Sequence, residues 1–105
     1  MSRYFLRLSY LGTRYNGWQV QRNTSETVQR YVNEALSKIL NEPIETLGCG
    51  RTDTGVHARE FYAHFDCTKA DLCNGKVDWV YKFNTLLPND IVIEELFPVH
   101  EKAHA

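Results

Sequence analysis

The sequence predicts an α+β domain with one antiparallel sheet and two helices on the same face, and three observations carry that expectation. Two segments alternate apolar and polar residues as half-buried strands do. One longer stretch repeats its apolar residues at three- and four-residue steps, as a surface helix does. The elements follow one another in the order strand, helix, strand, strand, helix, strand.

Residues 4–10 form the first strand, with Tyr4, Leu6, Leu8 and Tyr10 on a core face and Phe5, Arg7 and Ser9 on the other. The stretch LGTRYNGWQVQRN then reads as a long loop, rich in Gly, Asn and Thr. Over residues 24–40, Val28, Val32, Ala35, Leu36, Ile39 and Leu40 mark an amphipathic helix. Asn23, Thr24 or Ser25 is placed to cap it, Glu26 favours its positive end, and Asn41 and Pro43 close it. Residues 44–49 read as a short second strand. Residues 61–67 alternate again, with Phe61, Ala63, Phe65 and Cys67 opposite Tyr62, His64 and Asp66. A second helix is expected over about 77–87, with Trp79, Val80, Phe83 and Leu87 as its apolar stripe and Pro88 as its stop. Residues 91–97 make the fourth strand. This order is the split βαβ pattern of ferredoxin-like βαββαβ domains, a fold that hosts RNA binding among many unrelated functions.

A chain of 105 residues fits one domain, and 43% apolar with 24% charged residues is ordinary for a folded protein. No apolar run approaches the length of a membrane span, and the first ten residues lack the pattern of a secretory signal, so the cytoplasm is the expected location. A net charge of −1 gives no general pull toward a polyanion. The arginines are nevertheless uneven: Arg3, Arg7, Arg14, Arg22 and Arg30 lie early, Arg51 and Arg59 flank one motif, and none follows. Cys49, Cys67 and Cys73 are odd in number and not spaced as zinc ligands, so they are expected to be plain thiols, with no metal.

The chemistry concentrates in Gly48-Cys49-Gly50-Arg51-Thr52-Asp53-Thr54-Gly55-Val56-His57, between the second and third strands. Three glycines there permit a sharp turn and a close approach to a ligand, and a cation, two hydroxyls and a carboxylate stand between them. A plain connection needs far fewer special residues. Two uses of Asp53 stay open from spacing alone. It is either a structural ion-pair partner of Arg51 in a turn capped by Thr52 and Thr54, or a nucleophile that Arg51 keeps ionised. A single carboxylate is unlike an ordinary glycosidase, which uses two. It suits chemistry in which the leaving group is retained and rejoined.

Residues 50–58, Gly-Arg-Thr-Asp-Thr-Gly-Val-His-Ala, closely resemble the Gly-Arg-Thr-Asp-Ala-Gly-Val-His-Ala signature of TruA-type pseudouridine synthases. The resemblance extends to residues 10–19, similar to that family's Tyr-Asp-Gly-Thr/Ser…Gly-Trp-Gln segment. It also takes in Thr27-Val28-Gln29, Ala63-His64-Phe65, residues 84–91 and the terminal Ala103-His104-Ala105. Thr54 stands where the family usually has Ala, Leu11 where Asp is common and Glu60 where Gly is common. These departures bear on fine substrate preference.

The resemblance implies isomerisation of uridine to pseudouridine in the tRNA anticodon stem-loop, at positions 38 to 40, without cofactor or metal. It makes Asp53 the nucleophile and Arg51 its supporting cation. The target base must be flipped out of its stack. Tyr15, Trp18, Thr52 and His57 are candidate RNA contacts, and Arg14, Arg22 and Arg59 candidate phosphate contacts. Trp18 has a second reading as a loop anchor buried against the sheet, and His64 is expected to be structural. Family members are about twice this length or longer, pair two related α+β halves around the cleft, and act as homodimers. Residues 1–105 are therefore expected to be one domain, the amino-terminal half of such an enzyme, inactive by itself. The competing readings are a non-catalytic RNA-binding module on the same fold and, below it, a metal-dependent hydrolase using Asp53, His57 and His64.

Overall fold

A computed structural model describes residues 2–11, 18, 27–49, 58–69, 72, 77–100 and 102–103, with 58 and 59 as backbone alone. The order is β1 (Ser2–Tyr10), α1 (Val28–Leu40), β2 (Leu47–Gly48), β3 (Ala58–Cys67), α2 (Trp79–Leu86) and β4 (Ile91–Val99). The strands form one sheet in the order β2-β3-β1-β4, and every neighbouring pair is antiparallel. This is the ferredoxin-like arrangement expected from the sequence: each helix links two strands with a third inserted between them.

One face of the sheet makes the core. Tyr4, Leu6, Leu8 and Tyr10 of β1 are buried with Phe61, Ala63, Phe65 and Cys67 of β3 and Ile91 and Ile93 of β4. Val28, Val32, Ala35, Leu36 and Leu40 of α1 and Phe83 of α2 close over them in the same cluster. On the opposite face a row crosses all four strands: Leu47, His64, Phe5 and Phe97 are register partners. His64 stacks on Phe5 with ring centroids 6.0 Å apart and is buried, which agrees with a structural role. β4 carries a bulge: Arg7 pairs with Glu95 but Leu8 with Ile93, which leaves Glu94 extra and turns Leu96 toward the helices' side. That explains why IVIEELF does not alternate evenly.

Strands β1, β3 and β4 run two or three residues longer than the expected 4–10, 61–67 and 91–97, and both helix starts and the second strand also differ from expectation. α1 starts at Val28, with Thr27 in the capping position in an extended conformation. Asn23, Thr24 and Ser25, the expected caps, lie outside the described residues, and the Thr27 side chain makes no capping bond. The N–H of Gln29, which a capping side chain would accept, goes instead to the Trp18 carbonyl at 2.9 Å. At the other end Asn41 adopts the left-handed conformation, φ 56°, and closes the helix as expected.

The expected second strand over 44–49 shrinks to Leu47–Gly48. Residues 44–46 keep a strand-like alternation, with Ile44 and Thr46 buried and Glu45 exposed. Their backbone, however, bonds to side chains of α1. Ser37 Oγ accepts the Ile44 N–H at 2.9 Å, Asn33 Oδ1 accepts the Thr46 N–H at 2.9 Å, and Gln29 Nε2 donates to the Thr46 carbonyl at 2.6 Å. α2 starts at Trp79 rather than 77, because Asp78 caps it by accepting the Tyr81 N–H at 3.0 Å. It ends where Leu87, before Pro88, is forced into an extended conformation.

Arg3 and Asp66 are register partners on β1 and β3 and form a two-pronged ion pair at 2.8 and 2.9 Å. The Arg3 side chain, chiefly by hydrogen bonding, holds the Asp66 carboxyl below its ordinary value. A carboxylate with a lowered folded-state pKa adds stability that is complete above its unfolded value, about 3.9, and lost as pH falls through the folded value. Asp66→Asn should therefore cost on the order of 1 kcal/mol at pH 7. That deficit should close as pH is lowered below about 4, as read from urea unfolding of both proteins across pH.

Candidate active site

The strand directions gather three connections at one end of the sheet. β1 finishes there at Tyr10, β2 finishes at Gly48, and β3 and β4 begin at Ala58 and Ile91, both paired with Tyr10. The Leu11 N–H donates to the Asp90 carbonyl at 2.9 Å, which joins the β1 exit to the β4 entry. The β2–β3 connection contains the whole Gly50–His57 motif. It leaves the sheet through Cys49, whose N–H donates to the Tyr62 carbonyl at 2.8 Å, and returns at Ala58.

Of the residues singled out in sequence, Arg14, Tyr15, Arg22, Arg51, Thr52, Asp53 and His57 lie outside the described residues. Arg59 is placed in β3 by its backbone alone. Trp18 is described in full. Its relative exposure is 2%, and its ring lies 4.7 Å from that of Phe61, which in turn meets Tyr10 edge-on at 5.9 Å. Of its two readings, this geometry is that of the loop anchor: a ring enclosed on the core face offers no open surface to a base.

Gly48 makes that enclosure possible. A β-carbon on Gly48 would fall 2.8 Å from ring atoms of Phe61 and closer still to the indole nitrogen of Trp18. Glycine is thus required by proximity to the tryptophan. In the sequence it stood out only as the first glycine of the motif. The Trp18–Gly48–Phe61 contact also joins the loop after β1 to the strand that enters the motif.

Among the described residues the two thiols have plain environments, and Cys73 lies outside the described residues. Cys67 is buried, donates weakly to the Lys69 carbonyl at 3.3 Å, and has its thiol pushed up chiefly by burial, which makes it a poor nucleophile. Cys49 is exposed. Among the described residues no three His, Cys, Asp or Glu side chains cluster as a metal site. No described helix is long and apolar enough to cross a membrane.

The polar ladder on α1 escaped the sequence reading. Gln29, Asn33 and Ser37 are spaced i, i+4, i+8, and that polar stripe beside the apolar one was the available signal.

Comparison with known proteins gives a consistent result. The chain is 47% identical over 105 residues to the tRNA pseudouridine synthase A of Porphyromonas gingivalis, covering all of this chain and 41% of that protein. It is 44% identical over 107 residues to the enzyme of the same name from Parabacteroides distasonis, covering 40% of it. It is 46% identical over 100 residues to that from Ruminiclostridium cellulolyticum, covering 95% of this chain and 39% of the relative. No family model matches the chain. The chain thus spans about two-fifths of the length of the curated relatives it matches.

Gly48→Ala should destabilise the domain by about 1–3 kcal/mol, the usual cost of forcing an atom into a filled core. A lower urea midpoint with reduced fluorescence change from Trp18, read in a Trp79→Phe background, would report it. An unchanged midpoint would contradict the contact. With its motif between β2 and β3 and these relatives matched along its length, the chain belongs to the tRNA pseudouridine synthase A family, as an amino-terminal portion.

Proposed function

We propose that this chain is the nucleophile-bearing part of an enzyme that isomerises uridine to pseudouridine in the anticodon stem-loop of tRNA, at positions 38 to 40. The observation that carries the reading is similarity along the whole of this chain to part of synthases of that name, coupled with an arginine–aspartate motif that falls between β2 and β3. In this reading the flipped uridine meets Asp53, and Arg51 beside it favours the ionised carboxylate. The N1–C1′ bond breaks, the retained uracil turns, and a C5–C1′ bond forms. The proton leaves C5 and N1 gains one, so the reaction is an isomerisation balanced without cofactor or metal. Tyr15, Thr52 and His57 are proposed to contact the nucleoside, and Arg14, Arg22 and Arg59 the phosphates. Trp18 is proposed to act only through the loop it anchors. The working enzyme is a cytoplasmic homodimer whose second half completes the cleft.

A non-catalytic RNA-binding module is the alternative, and one observation speaks for it. The open face of the middle strands carries Phe5 and Tyr62, as RNA-binding sheets carry aromatics. The cations on that face are already engaged: Arg3 pairs with Asp66, and Arg7 lies 3.6 Å from both Glu94 and Glu95. Among the described residues the carboxylates paired with Arg3 and Arg7 outnumber these two guanidiniums, so the face is poorly suited to phosphates, and we rank this reading second.

Release of label from the uracil C5 position of tRNA tests the proposal in the full-length protein. Asp53→Asn should lower turnover at least about a thousandfold, the scale expected for loss of a covalent nucleophile, with tRNA binding largely kept. Unchanged turnover would favour the binding module. Residues 1–105 alone should not turn over, and turnover at the full-length rate would contradict the shared cleft.

A further inference from the structure

The segment that feeds the motif is held by a helix. Thr46 is fully buried, and both of its backbone groups end on α1: the N–H on Asn33 Oδ1 and the carbonyl on Gln29 Nε2. Its hydroxyl donates to the same Asn33 oxygen at 2.6 Å. One turn further along, Ser37 Oγ accepts the Ile44 N–H and donates more loosely to the Ile44 carbonyl at 3.4 Å. Gln29 also reaches Trp18, since its own N–H takes the Trp18 carbonyl. A single residue therefore bonds both the lead-in to β2 and Trp18.

A two-residue strand fixes little on its own. Leu47 and Gly48 pair with His64 and Ala63, and Cys49 adds one further bond to Tyr62. Without the helix side chains, residues 44–46 would have no register along α1, and the exit point of the motif would slide with them. Ladder bonds at i, i+4 and i+8 on a rigid helix set that register.

We infer that Gln29, Asn33 and Ser37 are positioning residues: they fix where the chain leaves the sheet at Cys49, ahead of the Gly50–His57 motif, and through that the presentation of Asp53 to its substrate. The inference rests on the reading of Asp53 as the nucleophile. Asn33 gives the sharpest variant, because its oxygen acts only as an acceptor for Thr46. Asn33→Leu removes the acceptor at similar volume, and Asn33→Asp retains it.

The test uses the full-length protein with tRNA. At a temperature where circular dichroism shows the variant folded, Asn33→Leu should lower kcat about 10- to 100-fold, the range that displacements near 1 Å produce. KM for tRNA should change by less than about twofold, and Asn33→Asp should restore kcat to within about threefold of the parent, because the docking surface and the acceptor are respectively untouched. Amide exchange at Thr46–Cys49 should quicken in Asn33→Leu and return to the parent rate in Asn33→Asp. A parent-like kcat in folded Asn33→Leu, or a kcat that Asn33→Asp fails to restore, would overturn the inference. Should Asn33→Leu not fold, Gln29→Met decides by the same two readings, since it removes one donor from a half-buried site. Turnover retained by Asp53→Asn would sink the nucleophile reading instead, and the exchange rates would then decide the ladder alone.

Discussion

The contact of Trp18 with Gly48 and Phe61 is the constraint on which the working end of this domain depends. An indole enclosed at 2% exposure gains the full benefit of burial, roughly 2–3 kcal/mol for a large apolar side chain. It can be enclosed only because position 48 has no side chain. The contact ties Trp18, which lies between β1 and α1 in the chain, to β2, which precedes the Gly50–His57 motif, and the Trp18 carbonyl supplies the start of α1 with the acceptor that its own capping residue does not. Two segments far apart in the chain thereby share one anchor.

A second theme is the use of helix side chains to finish the sheet's edges. Edge strands leave backbone groups unpaired, and proteins cover or blunt them. Here the lead-in to β2 is bonded by Gln29, Asn33 and Ser37 of α1. At the other edge, the Asn84 amide of α2 accepts the Ile93 N–H and donates to the Ile93 carbonyl, both at 2.9 Å, beside the β4 bulge. Carboxamides suit this work because each offers a donor and an acceptor, as a neighbouring strand would. The same device that protects an edge also sets the approach to β2, the strand that precedes the Gly50–His57 motif.

Much of the fold was legible in the sequence because burial imposes a period. The alternation of Tyr4, Leu6, Leu8 and Tyr10 and the helical stripe from Val28 to Leu40 reappear as buried faces, and Asn41 and Pro88 end their helices as their backbone preferences require. The extent of the second strand was not legible, since only Leu47–Gly48 of the expected 44–49 joins the sheet. Ile44 and Thr46 alternate as a strand would, yet their partners are side chains of α1, and a period of two does not say what lies beside it. The start of α1 was misplaced because Asn23, Thr24 and Ser25 are all good caps in isolation, whereas a distant carbonyl does the capping. Within the site, residue chemistry drew attention to the motif and its root at the β2–β3 connection follows from the fold. The role of Trp18 stayed open in the sequence, since both an anchor and a stacking platform call for an indole. Its enclosure against Phe61 and Gly48 agrees with the anchor.

The central claim is the proposal that Asp53 is the group a tRNA nucleoside meets, which requires its carboxylate to be reachable in the free protein and covered when RNA is bound. Carbodiimide labelling of carboxyl groups in the full-length protein, followed by peptide mass analysis, measures this directly. The account predicts ready labelling of Asp53 in the free protein and strong protection by an anticodon stem-loop. An Asp53 that resists labelling without RNA, or that labels equally with RNA bound, would contradict it.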